Sequence, residues 1–114
     1  PVLYYNAGKK ILEYFKDRGV ALGMVRNKSY ANFIKAYEFE YQSGDLMVLY
    51  TDGITEAKDV KGEEFGYDRL LTTVEEVSSL TAKQVQDHLI NKLYEFSGTD
   101  NINDDYTTMI VKFV

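Results

Sequence analysis

Cysteine and tryptophan are absent from this 114-residue chain, and proline and histidine occur once each. Without cysteine there can be no disulfide, no thiol nucleophile and no thiolate-bound metal, a composition that fits a reducing cytoplasm. With His88 as the lone imidazole, a His-rich metal site or a Ser-His-Asp triad would have to pass through that one residue. No apolar run approaches the roughly 20 residues of a membrane span. No basic leader, apolar stretch and small-residue cleavage site mark a signal peptide. Positive charge is also in short supply. Lys and Arg number 13 against 18 Asp and Glu, a net charge of −5. A nucleic-acid binder would show a basic face, so that class of partner is not expected.

What remains is an ordinary soluble composition, 45% hydrophobic and 27% charged, of one-domain length. Residues 1–114 are read as one unit, because no linker, repeat or low-complexity segment divides them. The chain opens at Pro1, without Met, directly on strand-like residues. That start suggests an excised piece of a larger domain.

The first half reads as strands. Val2 to Asn6 and Ile11 to Phe15 are short, β-rich runs separated and closed by turn residues, a hairpin pattern. Residues 30–41 alternate, with Phe33, Tyr37, Phe39 and Tyr41 on one side. Ser43-Gly44-Asp45 turns the chain into Leu46-Met47-Val48-Leu49-Tyr50, an apolar run suited to a strand covered on both faces. The second half holds two helices. Tyr67, Leu70, Leu71, Val74 and Val77 form one helical stripe. Thr81 and Gln84 form a capping box, with Leu80 and Val85 placed as a hydrophobic staple, and Gly98 lies just past the end of that second stripe. Thr107 to Val114 is again apolar and β-branched. The expected strands are 2–6, 11–15, 30–41, 46–51 and 107–113, and the expected helices 67–78 and 82–96. The fold class is α+β: an antiparallel sheet with a two-helix hairpin packed on one face, the last strand returning to the middle.

Two acidic positions stand out. Asp52 follows the most buried strand, and Asp104-Asp105 precede the other apolar one. If those strands are antiparallel neighbours, the carboxylates converge. Converged carboxylates repel unless a cation offsets them, and oxygen-only donors suit hard ions such as Mg²⁺ or Mn²⁺. Asp-Gly is also a strong hairpin signal, although Ile54 to Glu64 does not read as a returning strand. Both readings of Asp52-Gly53 stand at this level. Asp59, Glu63 and Glu64 read as a solvated loop, His88 as a structural or surface side chain, and the ten tyrosines as half-buried strand aromatics.

Several segments, in order, resemble one family. Tyr5-Asn6-Ala7-Gly8, Gly19 to Gly23, Gly44-Asp45-Leu46 leading to Tyr50-Thr51-Asp52-Gly53-Ile54-Thr55-Glu56-Ala57, Glu64-Phe65-Gly66 and Asp104-Asp105-Tyr106-Thr107 are similar to the C-terminal part of a metal-dependent (PPM, type 2C) serine/threonine phosphatase domain. The bacterial branch containing the sporulation stage II and stress-response sigma-regulator phosphatases fits these segments. The resemblance implies an αββα sandwich, with this chain lacking its N-terminal part. It implies a binuclear Mn²⁺ or Mg²⁺ centre, with Asp52 and Asp104 as metal ligands. Asp105 would be an alternative ligand or a neighbour of the ligands, with Gly53 beside them. The implied substrate is a phosphorylated anti-anti-sigma-type protein, and the implied chemistry needs no residue beyond the metal ligands. Lys9 stands where the branch has His, and Lys10 and Ala21 also depart from its loops. The rival reading is an inactive phosphatase-like binding or sensor module. Half a sandwich would also leave an apolar sheet face that a second copy could cover, and half a metal site implies an inactive isolated chain.

Overall fold

The computed structural model describes residues 1–14, 39–98 and 105–114. Strands β1 (Val2–Asn6), β2 (Ile11–Tyr14), β3 (Leu46–Tyr50) and β4 (Thr108–Lys112) form one sheet in the order β2-β1-β3-β4, antiparallel throughout. The helices are α1 (Asp52–Thr55), α2 (Gly66–Glu76) and α3 (Ala82–Ser97).

Strand alternation separates two faces. Leu3, Leu46, Val48 and Tyr50 point into the core, joined by Leu12, Tyr14 and Ile110. Leu70, Val74, Val77, Val85, Leu89 and Leu93 cover them from α2 and α3. The helical stripe and the strand period therefore meet in one layer of side chains. Fully burying one such leucine contributes about 1.5–3 kcal/mol. On the opposite face Ile11 and Met109 are exposed and Met47, Leu49 and Val111 half-buried. One end of that face is covered, where Phe39 packs edge-on against Tyr4 with ring centroids 5.2 Å apart and Tyr41 stacks on Phe113 at 4.6 Å.

The capping box forms as expected. The Thr81 hydroxyl accepts from the Gln84 amide at 3.2 Å, and the Gln84 side-chain oxygen accepts from the Thr81 amide at 3.1 Å. Gly98, at φ 76°, closes α3 by donating its amide to the Tyr94 carbonyl at 2.8 Å. Leu80 is exposed while Val85 is fully buried, so the staple is not visible as burial.

Two expectations change, and a third falls mostly outside the described residues. The strand read over 30–41 lies outside the described residues except for 39–41, which are not part of a strand. β4 is not central: among the described residues it lies at the sheet edge beside β3. Its apolar run serves two different faces, Ile110 toward the helices and Met109 away from them, so continuous hydrophobicity did not mean a strand covered on both sides. Directly after Asp52 the chain is helical: Asp52–Thr55 form α1, with Ile54 buried against the core, and residues 56–65 then run as turns with an isolated Lys58–Glu64 bridge.

Candidate functional site

The site is built where β3 ends and β4 begins. Tyr50 lies opposite Thr108, and the pairing continues one residue further. The Thr51 amide donates to the Thr107 carbonyl at 3.1 Å, and the Thr107 amide donates to the Thr51 hydroxyl at 2.9 Å. Thr51 occupies the N-cap position of α1 yet makes no side-chain cap bond to the helix. Its hydroxyl is committed to β4 instead.

Gly53 brings the next turn against the other segment. A Cβ at this position would lie 2.2 Å from the Asp105 carbonyl oxygen and 3.2 Å from the Tyr106 Cα. No side chain fits that gap, so only glycine allows α1 to approach residue 105 so closely. Tyr106 anchors the same segment from the other side, packing on the core and donating its hydroxyl to the Tyr94 hydroxyl of α3 at 3.2 Å. That hydrogen bond, with burial, raises the Tyr106 pKa.

The structure thus brings the Asp52-Gly53 turn beside Asp105. Asp52 opens α1, so the Asp-Gly pair is not the turn of a β-hairpin. The Asp52 side chain is exposed, as is that of Asp105. Asp104 lies outside the described residues. Among the described residues no three His, Cys, Asp or Glu side chains come together as a metal cage. The donor set at this rim is carboxylate oxygen, the chemistry that hard divalent ions take.

A group of phenols adjoins the rim and was not singled out by sequence patterning. Tyr14 and Tyr50 meet across the start of β1, their hydroxyl oxygens 2.7 Å apart, and Tyr67 of α2 packs edge-on against Tyr14. Burial is the main reason the Tyr50 hydroxyl is held well above the usual phenol range. The bond to Tyr14 and the charges of Tyr14, Tyr67 and Asp52 push it the same way. Burial also raises Tyr14, partly offset by its bond to Tyr50. The only signal available beforehand was that β2 and β3 both end in tyrosine.

The other segments fall elsewhere. The Ala7 amide donates to an Asp45 carboxylate oxygen at 2.9 Å, so Asn6-Ala7-Gly8 and Gly44-Asp45-Leu46 touch at the far end of β3. Gly19 to Gly23 lies outside the described residues. Asp59 accepts the amides of Lys61 and Glu63 in a surface turn, and Glu63 pairs with Arg69 at 3.0 Å. His88 bonds Glu76 at 3.0 Å and links α3 to α2. Among the described segments, none of these reaches the rim.

The family described as "Stage II sporulation protein E (SpoIIE)" matches residues 1–114. The "Phosphoserine phosphatase RsbU" of Bacillus subtilis (strain 168) is 23% identical over 112 residues, covering 98% of this chain and 32% of that protein. The chain therefore spans about a third of the length of this curated relative. Among solved structures, the "SiaA-PP2C domain of Pseudomonas aeruginosa" superposes with a TM-score of 0.74 at 21% identity, over 99% of this chain and 43% of that one. That likeness establishes a shared PP2C-like fold.

Proposed function

The chain belongs to the Stage II sporulation protein E (SpoIIE) family of PPM-type phosphatases, and on that premise we propose that it supplies part of a metal centre that hydrolyses phosphoserine or phosphothreonine on a regulatory protein. The observation that carries the reading is the junction of β3 with β4. There the Thr51–Thr107 hydrogen bonds and the Gly53–Asp105 contact bring two acidic segments to one rim.

In this reading Asp52 and Asp104 are metal ligands, with Asp105 and Gly53 shaping their surroundings. The ions, two Mn²⁺ or Mg²⁺ in a complete domain, would supply Lewis-acid charge that offsets a phosphate and activates water for in-line displacement. The chain's own part is positional. The exposed Asp52 carboxylate gives an oxygen donor that no packing requirement consumes. Thr51 and Thr107 fix the register of the segments that carry the two aspartates. Gly53 sets their separation. Residues 1–114 are then the C-terminal portion of a single phosphatase domain, and the remaining ligands come from its N-terminal part. The substrate class proposed is a phosphorylated anti-anti-sigma-type protein, in keeping with a phosphoserine phosphatase among the relatives.

The test is Mn²⁺-dependent hydrolysis of an aryl phosphate and of a phosphoserine protein by the full-length protein. Asp52→Asn should abolish turnover while leaving the far-ultraviolet circular dichroism unchanged, and residues 1–114 alone should give none. Undiminished turnover in Asp52→Asn, or robust turnover by residues 1–114 alone, would overturn the assignment.

A further inference from the structure

Outside the rim, a concavity lies on the helical layer. A solvent-open groove of about 470 Å³ runs between α2 and α3, floored by Phe65 and Phe96. The two rings meet edge-on with centroids 5.4 Å apart. A second hollow of about 460 Å³ shares Phe65, Asp68 and Arg69, so the depression extends beyond the start of α2. None of its lining residues belongs to the Asp52–Asp105 rim.

The charge around this floor is one-sided. Across the two hollows five carboxylates face two cations. Those two cations and His88 each hold one carboxylate, Glu63, Glu95 and Glu76 in turn, and the lining stays net negative. Arg69 pairs with Glu63 at 3.0 Å, donates to the Glu64 carbonyl at 2.6 Å and lies over the Phe96 ring at 4.5 Å. Lys92 sits 3.8 Å from Glu95. Asp68 and Glu76 stand eight residues apart on the exposed side of α2, an acidic stripe about 12 Å long. An apolar floor with acidic walls complements a ligand that is apolar on one side and basic on its flanks. Because the walls are two helices with no unpaired strand edge, main-chain strand addition has nothing to pair with, and a helix laid in the groove is the mode that fits.

We propose that the α2–α3 groove docks a basic amphipathic helix of a partner protein, its apolar side chains against the exposed part of Phe96, which rests on the buried Phe65, and its Lys or Arg side chains facing Asp68, Glu76 and Glu95. This does not rest on the phosphatase reading. The partner would nevertheless press close to the metal rim's own turn, because the Phe65 amide donates to the Ala57 carbonyl at 2.7 Å, just past the end of α1.

The test uses the full-length protein and two fluorescein-labelled amphipathic peptides, one of leucine and lysine, the other of leucine and glutamate. Fluorescence anisotropy reads affinity, and hydrogen exchange with mass spectrometry reads location. The expected result is binding of the lysine peptide only, with new protection in residues 65–76 and 92–96. The double variant Asp68→Lys/Glu95→Lys, both exposed positions that should not disturb folding, should weaken binding by roughly tenfold, the scale of two reversed rim charges. Equal binding of both peptides, binding of neither, an unchanged affinity in the double variant, or protection confined to the strands bearing Ile11 and Met109 would each overturn the proposal.

Discussion

β3 has an aspartate at each end, and the two have opposite environments. Asp45, just before the strand, is 1% exposed and fully engaged. One oxygen accepts from the Ala7 amide at 2.9 Å, and the other from the Tyr4 hydroxyl at 2.5 Å and the Gln42 amide at 3.1 Å. Its carbonyl also takes the Phe113 amide at 2.9 Å. Asp52, two residues beyond the strand, is exposed, and its backbone carbonyl rather than its carboxylate receives the Glu56 amide and the Thr55 hydroxyl. The same residue type is a buried fastener at one end and an exposed carboxylate at the other. Burial and the number of donors facing each carboxylate separate the two roles.

The sharpest way to break this contrast is to exchange oxygen for nitrogen at both ends. In Asp45→Asn the three neighbours are all donors, so the amide nitrogen faces a donor and leaves at least one buried group unsatisfied. A cost of about 2–3 kcal/mol is expected, read as a fall in the urea midpoint at constant slope. The same change at Asp52 should shift stability by less than about 0.5 kcal/mol. Comparable losses at the two positions would dissolve the distinction.

Next in size is Gly53→Ala. The new methyl would meet the Asp105 carbonyl oxygen at 2.2 Å, and that oxygen belongs to the backbone and cannot rotate away. Separating the segments should cost about 1–3 kcal/mol and accelerate hydrogen exchange at Thr51 and Thr107. Exchange rates left as they were would mean the approach is looser than described.

The fold was legible in the sequence to the extent that one period reported one environment. The α2 and α3 stripes, the Thr81–Gln84 box and the short β-rich runs of β1 and β3 each pointed to one element, and each formed. β4 misled because its apolar residues divide between two faces. α1 was missed because four polar-leaning residues carry no periodicity, and only the burial of Ile54 makes them a helix. Of the two acidic strand ends read in the sequence, the structure brings Asp105 beside the Asp52-Gly53 turn, and Asp104 lies outside the described residues. The Thr51–Thr107 bonds and the tyrosine group were not legible, because both depend on register across strands far apart in sequence.

The contrast also predicts a pH dependence. Burial pushes the Asp45 carboxyl up, but hydrogen bonds from Tyr4, Ala7 and Gln42, with the charge of Lys112, together outweigh it and hold the pKa below the ordinary 3.8. A depressed folded-state pKa means the unfolded chain binds the proton more readily. The stabilisation is therefore complete above the ordinary carboxylate range and is lost as pH falls through the folded-state value. Acid titration of stability should show a fall below about pH 4 that is reduced in Asp45→Asn and retained in Asp52→Asn. An identical acid limb in wild type and Asp45→Asn would assign that limb to other carboxylates.

The smallest effect is expected at the clamp that joins β3 to β4. Thr51→Val keeps the shape and the backbone bond to Thr107 but removes the hydroxyl that accepts the Thr107 amide. Both residues are exposed, so water can replace the lost acceptor, and the net cost should be about 0.5–1 kcal/mol. The informative readout is local. The Thr107 amide should exchange several-fold faster while amides in the middle of β3, such as Val48, keep their protection. If Thr51 serves only the sheet, Mn²⁺ affinity of the full-length protein will not change. If it holds the Asp52 turn in register with the segment carrying Asp104, affinity will fall although Thr51 offers no ligand of its own. A variant with faster Thr107 exchange and unaltered Mn²⁺ affinity would confine Thr51 to a structural role and leave Gly53 alone to set the spacing of the two acidic segments.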